Sequence, residues 1–146
     1  MDEGIVLKEI SINGEKYPPN RGVYYFRGDM PKIEVLAYSI GNTNKLGLKE
    51  LDLYVDDQKV YSVVFDEISW SDFNDVWKVY GEDSVMSEYS FAPWYVLYPK
   101  GNSSLVKLNR FDELKPFPND CEVKIELVDV WGMRKTLKFR LRKVGR

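Results

Sequence analysis

Histidine is absent from this chain of 146 residues. Its absence removes Ser-His-Asp and Cys-His nucleophile systems, histidine-ligated zinc and histidine proton shuttling from the available chemistry. Cysteine occurs once, at Cys121, so the chain can form neither an internal disulfide nor a cysteine metal cluster. Glutamine also occurs once, at Gln58, against dense Lys and Glu, a composition that leans towards a thermophilic source. No run of eighteen apolar residues is present, so no membrane insertion is expected. No basic-apolar-small signal segment is visible, and no stretch follows the twelve-residue calcium-loop pattern. No cofactor is expected.

What is present reads as one β-rich domain spanning 1–146. With 44% hydrophobic and 30% charged residues the chain can bury a substantial core, and aromatics reach 14%. At the end of the chain, Cys121, Val123, Ile125 and Leu127 alternate with Glu122, Lys124 and Glu126. After Asp129-Val130-Trp131-Gly132, Leu137, Phe139 and Leu141 alternate with Lys138, Arg140 and Arg142. Period two with one apolar and one charged face predicts a half-buried antiparallel pair, its glutamates facing a basic row. Cys121 falls on the inward face, where a free cysteine behaves as a small hydrophobe.

The opening strand changes parity: Ile5 and Leu7 share one face and Ile10 and Ile12 the other, which requires a bulge or kink near Lys8-Glu9. Asn13-Gly14 is a strong hairpin signal, and Asp56-Asp57 predicts a second tight turn. Strands are expected at Val23 to Phe26, Ile33 to Ser39, Leu51 to Val55, Lys59 to Phe65, Trp94 to Tyr98 and Leu105 to Asn109. At Asp66 the pattern changes. Ser69 or Ser71 can cap a helix that Gly81 ends, and Phe73, Val76, Trp77 and Tyr80 recur at helical spacing. The expected fold is therefore an all-β antiparallel sandwich with an aromatic-rich insertion at about 66–99 carrying one short helix.

Phe111-Asp112-Glu113-Leu114, the turn Asn119-Asp120, the strand to Val130, Trp131-Gly132 and the closing strand from Thr136 to Leu141 resemble the last strands of an immunoglobulin-like module. The kinked first strand and the strand from Ile33 are similar to its opening. The resemblance covers about 85 residues at the two ends and is one of fold pattern. Asn119 stands where a tyrosine corner would place its tyrosine, and no core disulfide is available. The resemblance implies adhesion, spacing or accessory binding in exported proteins.

Candidate sites lie in the insertion. Phe65 to Tyr98 carries seven acids against one lysine, whereas Cys121 to Arg146 carries eight bases against three acids. Glu122 and Glu126 interrupt the basic strand, so it reads as a solvated sheet face and no nucleic acid is expected. Ten aromatics occupy the insertion: Phe65, Trp70, Phe73, Trp77, Tyr80, Tyr89, Phe91, Trp94, Tyr95 and Tyr98. Those at helical spacing read as a core face. Trp70, Trp94, Tyr95 and Tyr98 are the expected binding residues, because flat rings beside carboxylates suit sugar C–H and hydroxyl groups. On a strand Trp94 and Tyr95 point to opposite sides, so one of them is expected at an edge or surface. Asp66, Glu67, Asp72, Asp75, Glu82, Asp83 and Glu88 read as a solvated acidic surface rather than a catalytic pair or oxygen ligands for a cation. Asn102-Ser103-Ser104 is a formal glycosylation sequon.

Three functions compete. The favoured one is a noncatalytic binding or adhesion module of a cell-surface or secreted protein, docking carbohydrate or protein through the insertion. An intracellular, cytoplasmic accessory protein using the insertion as an assembly interface is the alternative. A small carboxylate-dependent hydrolase ranks last, and would require a concave site with a raised carboxyl pKa.

Overall fold

The computed structural model describes residues 4–41, 44–65, 78–86, 90–101 and 103–145. Its strands are β1 (Gly4–Ile12), β2 (Glu15–Tyr17), β3 (Val23–Phe26), β4 (Ile33–Gly41), β5 (Asn44–Leu46), β6 (Glu50–Val55) and β7 (Gln58–Val64). They continue with β8 (Val85–Met86), β9 (Phe91–Ala92), β10 (Trp94–Val96), β11 (Val106–Asn109), β12 (Asp120–Val128) and β13 (Arg134–Lys143). The first sheet runs β10-β4-β1-β2, with β5 also paired to β4; the second runs β11-β7-β6-β12-β13-β3. A small pair, β8-β9, stands apart. The architecture is an all-β sandwich. All pairings in the two large sheets are antiparallel except β13 with β3, which is parallel.

Local chemistry accounts for the turns. Asn13 and Gly14 both take positive φ, as do Asp56 and Asp57, which matches the twist two-residue hairpins require. The parity switch of the first strand is a register shift between Leu7 and Glu9, leaving Lys8 exposed and turning Ile10 and Ile12 inward. The long closing hairpin pairs Cys121 with Leu141, Val123 with Phe139 and Ile125 with Leu137. On its outer face Glu122 lies opposite Arg140, but Lys124 lies opposite Lys138. Lys124 relieves that like-charge pairing by placing its ammonium 4.1 Å from the centre of the Tyr54 ring on β6. Glu126 finds Arg134 at 2.6 Å, and Arg140 turns to Asp120 at 2.8 Å.

The core lies between the sheets. Ile10, Ile12, Ile33, Val35, Ala37, Tyr95 and Leu97 face Leu51, Leu53, Tyr61, Val63, Val123, Ile125, Leu127 and Phe139. Cys121 is fully buried, and burial pushes its thiol up to about 12 with help from the Asp56 charge, so it is unreactive core.

The expected helix falls mostly on 66–77, outside the described residues. Its described end behaves differently: Tyr80 forms an antiparallel bridge with Tyr95. The Val96 N–H donates to the Val79 carbonyl and the Gly81 N–H to the Trp94 carbonyl, so 79–81 runs as a ribbon along β10. The edge strand competes for these backbone groups, and there the hydrogen bonds it offers outweigh helical propensity.

Candidate functional site

Strand alternation builds the site. Ile33, Val35 and Ala37 point into the core, so Glu34 points to the outer face of the first sheet. Register places Ser11 of β1 on one side of Glu34 and Val96 of β10 on the other, and Lys16 of β2 beyond Ser11. Trp94 and Tyr98 share the parity of Val96. A row across the sheet therefore carries Lys16, Ser11, Glu34 and Val96, with an aromatic residue before and after Val96. The ribbon 79–81 brings Glu82 and Asp83 over the same face. The result is a groove of about 910 Å³ whose other wall is the Asn13-Gly14 hairpin with Tyr17, Tyr25, Arg27 and Lys32.

Polar contacts organise this groove. The Tyr98 hydroxyl donates to the Glu34 carboxylate. Burial holds the Glu34 carboxyl above the usual range, Lys100 pulls it back, and Asp83 and Glu82 push it up again. Burial also raises the Tyr98 phenol, reinforced by the Glu34 charge. Lys16 bonds Asp83 at 2.8 Å and lies 5.2 Å from the centre of the Trp94 ring. Asn13 accepts from the Lys32 N–H at 2.7 Å and donates to the Arg27 carbonyl at 3.1 Å, which fixes the hairpin wall. Glycine at 81 leaves Glu34 its place in the groove, because a Cβ there would run into the Glu34 carboxylate. Four bases and four acids line the groove, so it offers dense donors and acceptors with no net charge.

The expected binding residues separate. Tyr98 is half-buried in the groove. Trp94 lines the groove wall but is only 4% exposed, beneath Lys16 and against Gly81. Tyr95 is 1% exposed and belongs to the core, edge-on to Phe65 and tilted against Tyr80 at centroid distances of 5.7 and 5.3 Å. Of the expected edge or surface position the edge is found, since β10 ends the first sheet, but neither ring is exposed, because the outer face of this edge is itself covered: Leu36, Trp94 and Val96 are all buried there. Trp70 and Asn102 lie outside the described residues. Among the described residues, no three acids or cysteines converge as a metal-ligand set.

Reading the insertion alone misses Glu34, Lys16 and Lys100. One signal was available: Glu34 is the single charged residue in the nine of β4. Comparison with known proteins finds no counterpart for the chain, since no family model, no curated protein and no solved structure matches it.

Proposed function

We propose that this sandwich is a noncatalytic, immunoglobulin-like binding module of a cell-surface or secreted protein, docking a carbohydrate in the groove of Glu34, Tyr98 and Lys16. The kinked β1 and the closing β12–β13 hairpin support the immunoglobulin-like part of this reading. The observation that carries the binding part is the Glu34–Tyr98 pair, half-sunk in a groove of ligand size with balanced charge. A carboxylate, ammonium groups and phenols around a neutral groove offer a polyhydroxylated ligand both donors and acceptors. Tyr25, half exposed at the rim, supplies a free ring face for a sugar. Calorimetric titration with a panel of neutral oligosaccharides tests the proposal. Glu34→Gln and Tyr98→Phe are expected to weaken binding about tenfold while leaving Tm within about 2 °C.

A raised carboxyl in a concave site is also what a carboxylate-dependent hydrolase needs, which gives a second reading with Glu34 as general acid. The binding reading is preferred because the nearest candidate partner, Asp83, is exposed and tied to Lys16. Turnover of aryl glycosides that disappears in Glu34→Gln while binding persists would favour the hydrolase.

A further inference from the structure

The tip of the β12–β13 hairpin combines rigidity with exposed apolar side chains. Val130, Trp131 and Met133 are 53%, 56% and 55% exposed, although each is large and apolar. The turn that carries them is held from below. Asp129 is fully buried, and one of its carboxylate oxygens accepts the N–H groups of Trp131 and Met133, each at 2.9 Å. Its other oxygen accepts the Ser39 hydroxyl at 3.1 Å, tying the tip to β4 in the opposite sheet. Trp131 also lies over Gly41, where any Cβ would collide with the indole. A preorganised turn that leaves three apolar groups in water has the character of a binding element.

Basic residues surround this apex. Arg134 pairs in register with Val128, and Lys135 with Leu127. The Lys49 N–H bonds the Val128 carbonyl at 2.8 Å, and Lys45 pairs with Ile40, next to the Gly41 under the indole. Lys49 and Lys135 are exposed and form no ion pair with a described residue, whereas the exposed Lys45 places its ammonium 4.7 Å from the centre of the Tyr38 ring. The nearby acids are engaged: Glu126 holds Arg134, and Glu50 is hydrogen-bonded to Asp52.

We propose that this tip docks the domain peripherally on an anionic lipid surface, Val130, Trp131 and Met133 entering the headgroup region while Lys49 and Lys135 contact phosphates. An apex of three side chains is far smaller than the roughly 20–30 residues a side of a standard protein interface, whereas a yielding lipid interface accepts such a wedge. Tryptophan favours the interfacial layer, and lysines near the surface add electrostatic attraction. The site is remote from the groove in its residues and does not depend on that reading.

The test is sedimentation with vesicles of phosphatidylcholine alone and with roughly one quarter phosphatidylglycerol. The expected result is binding to the anionic vesicles at least tenfold tighter, lost at high salt, with a blue shift of emission that Trp131→Phe reduces. Trp131→Ala with Met133→Ser should weaken it at least tenfold. Because Trp131→Ala also removes packing on Gly41, Lys49→Glu with Lys135→Glu provides a second variant with the apex intact, expected to abolish the preference for anionic vesicles. Binding to neither vesicle at low salt, or binding unchanged in the lysine variant, overturns the proposal. So does concentration-dependent dimerisation that Trp131→Ala abolishes, which would assign the tip to a protein contact.

Discussion

A single hydroxyl at Tyr95 serves two partners at the margin of the core. It accepts the Leu48 N–H at 2.8 Å and hydrogen-bonds the Tyr80 hydroxyl, and burial drives its phenol pKa far upward. Leu48 is itself buried, so Tyr95→Phe leaves a buried N–H without a partner. The expected cost is about 1–3 kcal/mol, read as a reduced midpoint in urea unfolding with unchanged slope. Gly81→Ala acts differently. The atom it would strike is the end of the flexible Glu34 side chain, so the carboxylate moves while the fold holds. Its Tm should stay within about 2 °C of the parent, while any ligand of the groove loses affinity as it does in Glu34→Gln. At Asp129 three hydrogen bonds converge on one buried carboxylate, and Asp129→Ala should destabilise the domain by about 3 kcal/mol in the same urea assay.

Between elements, what the chain encodes locally was legible and what it encodes by long-range pairing was not. Asn13-Gly14, Asp56-Asp57, the bulge after Leu7 and the alternation of β12 and β13 each follow from neighbouring residues, and each is found. Asp56 and Asp57 both sit at positive φ, but only Asp56 contributes its side chain, accepting the Glu122 N–H at 2.9 Å. Asp57→Gly should therefore stabilise the hairpin by about 0.5–1 kcal/mol in thermal unfolding, since glycine takes that conformation without steric cost. At Tyr80 and Trp94 local periodicity does not tell what covers a residue: Tyr80, expected on a helical core face, is covered as a ribbon along β10, and Trp94, expected at an edge or surface, is buried on the edge strand. The Glu34–Tyr98 contact joins residues far apart in the chain, and only the register of β4 with β10 reveals it. Strand alternation sets Glu50 and Asp52 side by side on the outer face of β6. Two carboxyls so close cannot both ionise, and hydrogen bonding to Asp52, with burial, raises Glu50 to about 7. A protonated Glu50 is also a donor to the buried Asp52, whose Oδ1 has no other partner while its Oδ2 lies 3.7 Å from the Lys59 ammonium. Because the folded-state value lies above the unfolded one, this contribution is complete below about pH 4.5 and disappears as pH rises through 7. Stability is expected to fall by about 1–2 kcal/mol across that window, after allowance for solvent screening at a partly exposed site. Thermal melts of Glu50→Gln should show no such fall.

At the scale of the molecule, the sandwich supports two separate surfaces. The outer face of the first sheet carries the groove, walled by the ribbon 79–81 and by the Asn13-Gly14 hairpin. The β12–β13 apex carries the exposed Val130, Trp131 and Met133. The sheets end in short strands: β2 and β10 have three residues, and β3 and β11 have four. Short edges blunt strand-to-strand aggregation and leave side-chain surfaces as the means of recognition. The insertion contributes to the groove less through exposed rings than by bringing Glu82, Asp83, Trp94 and Tyr98 over Glu34. The central claim, carbohydrate binding in that groove, is tested most directly by an NMR titration of the isotope-labelled domain with neutral oligosaccharides. The account predicts saturable shifts at Lys16, Glu34, Tyr98 and Lys100 that Glu34→Gln suppresses. Shifts confined to other surfaces, or equal in parent and variant, would contradict it.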